Sequence, residues 1–515
     1  MKNLKWIINL FFSLFLFVSY GQEGSLDTTF GDNGILLFSL SDIETRGRKI
    51  LVLEDNSILI GNSAVSNSND PVGFYLYKFL ENGEVDISFG QNGLIFIPNG
   101  ENGHSGFVSM VKYNDDKVLI RGTINGESKL IRIYQNGDFD LTYGENGLVS
   151  IVGGKIALQS NNKVIVASQF FDGYNNLYKF LRYDTNGSLD LSFGNDGVII
   201  TDITGYRFDL HSAIKIQNDD RIIVVGRSYE YGDDYHPVIT RFTENGFLDT
   251  TFGNNGTVIS TFSTESELGE FNDIGLFNEQ IIVGGNYHYS NGTGGFGGLK
   301  PAVISFDFDG TYDNTFGNQG RIILETLHNA NDRLWSMRLQ SNGKILIGGG
   351  ASYPFPMEGT DFFVTKLNDN GELDLNFGNN GTFLTSFNNA ESNIVTDLEL
   401  QENGEVLALG FIKEGFGDLR DAIICRLNNE ILNTSNIEYY SRVSFYPNPV
   451  QDILRIENTS STEITSIKIY DVLGRFVLSE EGDLNNINVS QLESGVLFIE
   501  VEIDEGSITK KIIKE

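Results

Sequence analysis

The sequence has a single cysteine, Cys425, so no intramolecular disulfide can form and stability must come from packing. Basic residues are also scarce, because 36 Lys and Arg stand against 69 Asp and Glu and give a net charge of −33. A chain this acidic repels phosphate backbones, so nucleic acid is not an expected partner. The five histidines show no spacing typical of a metal site: His104, His211, His236, His288 and His328.

Long apolar runs are missing except at the N-terminus. Lys2 and Lys5 precede the apolar stretch Trp6–Val18, and the small residues Ser19 and Gly21 follow at positions −3 and −1 of a cleavage site. This run is shorter than the ~20 residues that a membrane-spanning helix needs, and its flanks are typical of a secretory signal peptide. We therefore predict that residues 1–21 are a cleaved leader and that the mature chain has no transmembrane segment.

Glycine and aromatic residues are plentiful, with 58 Gly and 12% Phe, Trp and Tyr, and many belong to one repeated stretch. Seven copies of this motif align: GSLDTTFGDNG, GEVDISFGQNG, GDFDLTYGENG, GSLDLSFGNDG, GFLDTTFGNNG, GTYDNTFGNQG and GELDLNFGNNG. Their aspartates are Asp27, Asp86, Asp140, Asp190, Asp249, Asp313 and Asp374. Intervals of 50 to 64 residues indicate a propeller, a solenoid or a linear array.

Each repeat has room for four β-strands. A short β-rich run such as Val198–Thr201 follows the motif, a hairpin such as Ile214–Gly226 comes next, and a run such as Phe74–Leu80 leads into the next motif. We predict an all-β fold in which residues 22–430 form a seven-bladed β-propeller of four-stranded antiparallel blades. A β-solenoid is the alternative.

The motif residues favour a structural role as a joint between blades. The aspartate can cap nearby backbone N–H groups, and the aromatic residue three positions later can form an apolar wedge against a neighbouring blade. These aromatic residues are Phe30, Phe89, Tyr143, Phe193, Phe252, Phe316 and Phe377. Eight residues before the aspartate of copies two to seven stand Lys78, Arg132, Arg182, Arg241, Ser305 and Lys366. We predict ion pairs across the turn for the five basic residues, the alternative being solvated charges at a strand edge.

One copy, Asp184–Asp190, also resembles part of a calcium loop, with oxygen-bearing side chains at alternate positions. The residues equivalent to Asp184 in other copies include Leu80, Tyr134 and Thr243, so this ligand set does not repeat. We favour a structural turn and keep calcium as the alternative. No other cofactor is expected.

The motif and its spacing resemble the delta-60 repeat from Gly24 to about Glu430. That resemblance implies a β-propeller but no particular activity. The stretches SFYPNPV, IKIYDVLGR and INVSQLESGVLFIEV within residues 443–515 resemble the type A C-terminal sorting domain of the type IX secretion system. This second resemblance implies a small Ig-like β-sandwich that an outer-membrane translocon reads and a sorting protease removes. Residues 431–442 are then a linker, and the protein is expected outside the cell or attached to its surface.

No nucleophile elbow, HExxH motif or phosphate loop occurs in the sequence. The loops opposite the motifs are rich in tyrosine, which suits recognition of a glycan or a surface protein. The candidate ligand-binding residues are Tyr229, Tyr231, Tyr235, Tyr287, Tyr289 and Tyr353, and rim packing is the alternative for them. The sequence thus favours a binding or adhesion module. The second hypothesis is a lactonase-like or glycan-cleaving hydrolase with a metal in the central channel.

The two ends of the repeat region complement each other. Asp27 has no basic residue before it, whereas Arg426 occupies the basic position of a strand that no good motif follows, because Asn433 stands where the aspartate should be. We therefore predict that Gln22–Gly34 packs beside Ala422–Thr434. Strand parity further predicts that the turns at Asn56, Asp219, Asn342 and Asn403 lie on the same face as Asp86 and Asp190, with the tyrosine loops opposite.

Overall fold

The computed structural model describes residues 22–38, 43–66, 73–98, 107–114, 116–230, 235–260, 269–290, 296–328, 330–354, 359–387, 391–415, 420–429, 443–446, 449–458, 464–471, 475–480, 484, 486–492, 494–503 and 506–514. All regular elements among these residues are β-strands, as the sequence predicts. The predicted leader, residues 1–21, and the predicted linker, residues 431–442, lie outside the described residues.

The strands of the repeat region fall into four-stranded antiparallel groups, which we call units and number along the chain. The first strand, β1 (Ile35–Phe38), belongs to the last unit. Unit 1 contains β2 (Ile43–Val52), β3 (Ile58–Ser66), β4 (Gly73–Phe79) and β5 (Leu94–Pro98). Unit 2 contains β6 (Phe107–Tyr113), β7 (Lys117–Ile124), β8 (Glu127–Tyr134) and β9 (Leu148–Ser150). Unit 3 contains β10 (Lys155–Leu158), β11 (Val164–Phe171), β12 (Asn176–Tyr183) and β13 (Val198–Thr201).

The later units repeat this plan. Unit 4 contains β14 (Phe208–Ile216), β15 (Ile222–Tyr229), β16 (His236–Phe242) and β17 (Thr257–Ile259). Unit 5 contains β18 (Gly269–Phe277), β19 (Gln280–Ser290), β20 (Phe296–Asp307) and β21 (Arg321–Ile323). Unit 6 contains β22 (Asp332–Leu339), β23 (Ile345–Ser352), β24 (Thr360–Leu367) and β25 (Thr382–Thr385). Unit 7 contains β26 (Ser392–Leu400), β27 (Val406–Lys413), β28 (Asp421–Leu427) and β1.

The motif lies inside a unit, which corrects the predicted grouping of strands. The run after each motif pairs with the strand before that motif, as β13 does with β12, so it is the fourth strand of one unit and not the first strand of the next. The motif therefore connects the third and fourth strands. The sequence repeat could not reveal this, because a period specifies the order of strands but not which of them pair.

The motif and the first hairpin turn lie at the same end of each unit. In unit 1, Val52 pairs with Ile58 and Ile58 with Phe79, so the turn at Asn56 and the motif after Phe79 share one end, while the β3–β4 connection lies at the other. We call these ends the motif face and the loop face. This strand register confirms the prediction that the hairpin turns and the motifs share one face. Tyr231, one of the tyrosines predicted on the loop face, lies outside the described residues.

The first and last strands of the repeat region pair with each other. Strand β1 pairs antiparallel with β28, with Ile35 opposite Cys425 and Phe38 opposite Ala422. Just before β1, the Asp27 N–H donates to the Arg426 carbonyl at 2.9 Å, and the Gly24 N–H to the Asn428 carbonyl at 2.7 Å. The predicted contact between the two ends is thus confirmed as far as Asn429. A solenoid, in which each repeat contacts only its sequence neighbours, does not have such a contact.

The apolar core of the repeat region lies between units. Each motif aromatic is at most 1% exposed and packs in a cluster that draws on two consecutive units. Phe89, for example, shares a cluster with Leu59 of unit 1 and Met110 of unit 2. Phe30 packs with Ile60 of unit 1 and Leu409 of unit 7, so the same contact joins the last unit to the first.

A separate core lies in residues 443–515. One sheet contains β29 (Val443–Tyr446), β30 (Ile453–Asn458) and β33 (Asn486–Asn488). The other contains β31 (Ile464–Asp471), β32 (Phe476–Glu480), β34 (Gly495–Ile503) and β35 (Gly506–Lys514). Buried residues of both sheets, among them Leu454, Ile469 and Ile499, form one cluster.

Candidate functional site

The motif aspartates cap their own turns. The Oδ1 atom of Asp190 accepts from the Ser192 N–H at 3.0 Å and from its hydroxyl at 2.6 Å. The equivalent backbone hydrogen bond occurs in every copy, at distances of 2.9 to 3.2 Å. This is the local cap that the motif predicts, and it fixes the loop that carries the buried aromatic residue.

The other carboxylate oxygen meets the predicted basic residue. Arg182 Nε lies 2.6 Å from Asp190 Oδ2, and the corresponding pairs are Lys78–Asp86, Arg132–Asp140, Arg241–Asp249 and Lys366–Asp374. These pairs are buried, not solvated: the Arg182 and Asp190 side chains are each 6% exposed. Burial alone would raise the pKa of Asp140, but hydrogen bonds from Thr142 and the charge of Arg132 outweigh it and lower the pKa to about 2.

The motif also bonds each unit to the next. In each copy the N–H of the glycine after the aromatic residue donates to a backbone carbonyl of the following unit. The seven bonds are Gly31–Asn82, Gly90–Asn136, Gly144–Asn186, Gly194–Asn245, Gly253–Asp309, Gly317–Asn370 and Gly378–Glu23, at 2.7 to 3.1 Å. The last of them runs from unit 6 to the segment that precedes β1, so the series returns to its start.

The calcium alternative for Asp184–Asp190 finds no support in the contacts of this loop. Asp184 Oδ1 lies 3.0 Å from Lys163 Nζ, and the same ammonium lies 2.8 Å from Asp190 Oδ2. The described part of the chain contains no group of three or more His, Cys, Asp or Glu side chains that could hold a metal ion.

The joint between the chain ends has an acidic side chain at a position where five other units have a cationic or amide side chain. Arg426 pairs with Asp27, with Nε 2.7 Å from Oδ2, as the sequence predicts. In five units a second side chain also approaches the motif aspartate, from the strand adjacent to the one that carries the residue eight positions before that aspartate. These side chains are Lys117, Lys163, Arg221, Gln280 and Lys344. Unit 7 has Glu405 at that position, with Oε2 3.6 Å from Arg426 Nε. Burial and the neighbouring Asp27 carboxylate raise the pKa of Glu405 from 4.5 to about 7.

This carboxyl makes the stability of the repeat region dependent on pH. Because the folded state raises the pKa of Glu405, its contribution is fully present below pH 4.5 and is lost as the pH rises to about 7. We expect the unfolding free energy of the wild type to fall, relative to Glu405→Gln, across this range, and Glu405→Lys to be more stable than the wild type at pH 7. Denaturant titrations of the three proteins at several pH values measure this. Parallel pH profiles of wild type and Glu405→Gln would contradict it.

The predicted tyrosines form two groups near the loop face. Tyr229 stacks on Phe208 with ring centroids 4.7 Å apart and meets Tyr235 edge-on at 4.9 Å, and the Arg227 guanidinium lies 4.4 Å from the Tyr235 ring. Tyr353 stacks on His328 at 4.0 Å and donates to Asp361 at 2.8 Å. These contacts leave the rings half-buried.

Tyr287 and Tyr289 complete this set. Tyr287 packs against the cluster between units 4 and 5, and the Tyr289 hydroxyl donates to the Ala330 carbonyl at 3.4 Å. All five described tyrosines thus make packing contacts and stay partly exposed, which is compatible with ligand binding and with rim packing.

The first strands of all seven units line a common channel. Six of these strands contain a β-bulge, all except β10. Bulges re-aim side chains, and five bulged residues line the channel: Arg48, Ser212, Asn272, Trp335 and Thr396. These residues could not be identified from the sequence, because the alternation of apolar and polar residues does not show where a β-bulge occurs.

Two carboxylates of the channel are held by cations. Asp397 accepts from Lys49 at 3.1 Å, from Arg338 at 3.0 Å and from the Ile50 N–H at 2.9 Å. Asp273 accepts from the Met337 N–H at 2.9 Å and lies 3.4 Å from Arg338 Nη1. Such a network joins units 5, 6, 7 and 1. Because both carboxylates already bind guanidinium or ammonium groups, this donor set does not fit the metal of the hydrolase hypothesis.

Toward the loop face the channel opens into a cavity of about 560 Å³, which we call the channel mouth. Its lining includes Arg46, Arg48, Lys155 and Arg420, together with the rings of Trp335 and Phe411. The described residues that line the mouth include no carboxylate. The volume is in the range of small-molecule sites.

Comparison with known families identifies the smaller core. Residues 444–515 match the family model of a secretion system C-terminal sorting domain. The chain carries a type IX sorting domain. The protein is therefore exported by that system and is secreted or attached to the cell surface.

The repeats match a second family model, a domain of unknown function described as a β-propeller, over residues 159–193, 217–252 and 340–377. The matched stretches run from a first hairpin into a motif. They agree with the resemblance to a repeat propeller that the motif and its spacing carry. No curated protein matches the chain.

Several solved structures are similar in part. Drosophila Semaphorin 2a has 10% identity and a TM-score of 0.46, with 96% of this chain and 99% of that chain covered. An α-L-arabinofuranosidase from Fusarium graminearum, in complex with an iminosugar inhibitor, has 11% identity and a TM-score of 0.38, covering 80% and 99%. The polysaccharide lyase Uly1 has 10% identity and a TM-score of 0.41, covering 79% and 93%. Likenesses this distant carry no information about function.

The sorting domain and the repeat region thus have separate roles. The sorting domain accounts for export, and the candidate sites, namely the loop-face tyrosines and the channel mouth, lie in the repeats. No helix among the described residues is long and apolar enough to cross a membrane.

Proposed function

We propose that the exported protein is a closed seven-bladed β-propeller that acts as a binding or adhesion module outside the cell. In this proposal units 1 to 7 are the blades of residues 22–430, and the Ig-like sandwich of residues 443–515 is read by the translocon and removed by its sorting protease. The returning series of seven hydrogen bonds and the pairing of β1 with β28 support the closed ring. Closure also covers strand edges that an open array would expose.

The assignment of a binding function rests on the channel mouth. A closed ring brings the first strands of its blades together at one opening, and here that opening is a cavity of about 560 Å³ with polar and aromatic walls. Loop-face aromatic rings such as Tyr235 and Tyr353 lie at unit ends of the same face. Partly exposed rings beside charged groups are typical of surfaces that recognise glycans or proteins.

Binding of the purified protein to panels of glycans and extracellular proteins tests the proposal. We expect at least one ligand, with affinity reduced tenfold or more, which is about 1.4 kcal/mol, by Tyr235→Ala or Tyr353→Ala on the loop face. Phe247→Ala is the matched control, because this ring is 53% exposed and lies on the motif face. Equal loss of affinity in the control, or no binding to either panel, would contradict a loop-face binding module.

A further inference from the structure

The described lining of the channel mouth holds several cationic side chains and no carboxylate. The chain has a net charge of −33, yet three arginines and one lysine line this one cavity. Field lines concentrate in a cleft with charges of one sign and low-dielectric walls, so such a cavity attracts anions. The attraction is local, because salt screens the acidic outer surface beyond about 8 Å at physiological ionic strength.

Lys155 has no ionic partner within the described residues. It lies at the start of β10 and lines both the channel mouth and the deeper channel. Its ammonium group makes no ion pair or side-chain hydrogen bond within the part of the chain that the structure describes, whereas Lys49 across the channel lies 3.0 Å from Asp397. Lys155 is partly exposed to the cavity, and desolvation lowers the pKa of its ammonium group.

Desolvation of a cation that has no ion-pair partner disfavours its charged form. The neighbouring carboxylates of Asp273 and Asp397 offset this only in part, and both already bind Arg338. Lys155 is thus unlike the motif cations, each of which is part of a buried pair. An ammonium group that faces an open cavity without an ion-pair partner can bind an anion that enters from solvent.

An aromatic wall stands beside these cations. Trp335 is the bulged residue of β22 and is 43% exposed although it lines the cavity. Phe411 lies on the same wall, with the Arg420 guanidinium 5.2 Å from its ring centroid. A flat exposed indole stacks on the apolar face of a sugar ring, and the amide of Asn272 and the hydroxyls of Ser212 and Thr396 can bind sugar hydroxyls.

We propose that the channel mouth binds an acidic saccharide of one or two rings, with its carboxylate or sulfate group held by Lys155 and Arg48 and a ring stacked on Trp335. This inference rests on the proposed binding function and names the ligand class for it. Arginine suits the anionic group because its guanidinium matches a carboxylate or sulfate in a bidentate geometry. The cavity volume of about 560 Å³ limits the ligand to this size.

Calorimetric titration of the purified protein tests the proposal with defined probes. Digalacturonate and lactose sulfate are the acidic probes, cellobiose and lactose the neutral ones, and inorganic sulfate the simple anion. We expect at least one acidic disaccharide to bind and the neutral disaccharides not to bind. Lys155→Met should weaken that binding tenfold or more while leaving the melting temperature unchanged or higher, because it removes an unpaired charge.

Lys215→Met is the matched control. Lys215 also lies in the channel, with its pKa lowered by burial, but it lines only the deeper part and not the mouth. Its substitution should change affinity less than twofold. Equal affinity of the wild type and Lys155→Met would overturn the site, and inorganic sulfate binding as tightly as the disaccharides would overturn the saccharide. If no acidic probe binds while the panels still yield a neutral or protein ligand, this inference fails and the proposed function stands.

Discussion

Replacing Phe30 with alanine is expected to lower the free energy of unfolding of the repeat region by about 3–5 kcal/mol. The ring is fully buried and lies among Ile60 of unit 1 and Leu407 and Leu409 of unit 7. Truncation removes apolar contact on both sides at once and leaves a cavity between the first and last units. Denaturant unfolding followed by tryptophan fluorescence measures the effect.

Comparing the loss of unfolding free energy in Phe30→Ala with that at an internal motif aromatic distinguishes a closed ring from an open array. Phe193→Ala removes the equivalent ring between units 3 and 4, and a closed ring predicts losses of similar size at both positions. Phe247→Ala, at an exposed ring, should change stability by less than about 0.5 kcal/mol. A small effect of Phe30→Ala beside a large effect of Phe193→Ala would mean that the first and last units do not pack.

The second large effect is expected from Arg426→Met, which should cost about 3–5 kcal/mol because it leaves a buried carboxylate without its partner. Arg426 donates to Asp27 at 2.7 Å, to the Glu81 carbonyl at 2.7 Å and to the Thr29 hydroxyl at 3.0 Å. One guanidinium therefore binds the N-terminal segment to unit 7 and also reaches unit 1. The unfolding free energy of the purified variant measures the loss.

A double-mutant cycle separates the pair from the packing of its members. Asp27→Asn combined with Arg426→Met should cost clearly less than the two single changes added together, since each single change leaves the charge of the other partner buried and unpaired, and the double change leaves neither. Arg182→Met is the matched substitution in an internal unit and should resemble Arg426→Met. Strict additivity in the cycle would show that Asp27 and Arg426 are not coupled.

The sequence was sufficient to predict the motif contacts and the joining of the chain ends. The fixed offset of eight residues between a cation and an aspartate, as in Arg182 and Asp190, placed both on one hairpin, and the structure pairs them at 2.6 Å. Arg426 has no aspartate eight residues after it and Asp27 has no basic residue eight residues before it, so the same offset predicted that these two residues pair. The offset did not predict that these pairs are buried, because their burial depends on the neighbouring unit.

The channel could not be predicted in the same way. Its residues come from seven strands far apart in the sequence, and only the folded arrangement of these strands brings Lys155, Trp335 and Asp397 to one cavity. A signal was nevertheless present. Basic residues occur on the first strand of several hairpins, at Lys49, Lys155, Lys215 and Arg338, in a chain with few basic residues. Inner strands of a propeller face the channel, so this pattern indicates a cationic channel once the fold is known.

The lone cysteine allows the pairing of β1 with β28, on which the closed ring depends, to be tested directly. Ile35 lies opposite Cys425 and packs in the same cluster, and the adjacent Arg426 N–H donates to the Gly34 carbonyl at 3.0 Å. Ile35 and Cys425 are therefore a non-hydrogen-bonded pair, whose short Cα separation suits a disulfide.

Ile35→Cys, refolded under oxidising conditions, should form an intramolecular disulfide with Cys425. Leu37→Cys is the control, since that residue lies opposite Ile423 and has no cysteine partner. Thiol titration and the mass of the peptide pair after proteolysis measure the outcome. We predict no free thiol and a linked peptide for Ile35→Cys, with two free thiols for Leu37→Cys. Two free thiols in both variants, or only disulfides between molecules, would contradict a ring closed by its own first strand.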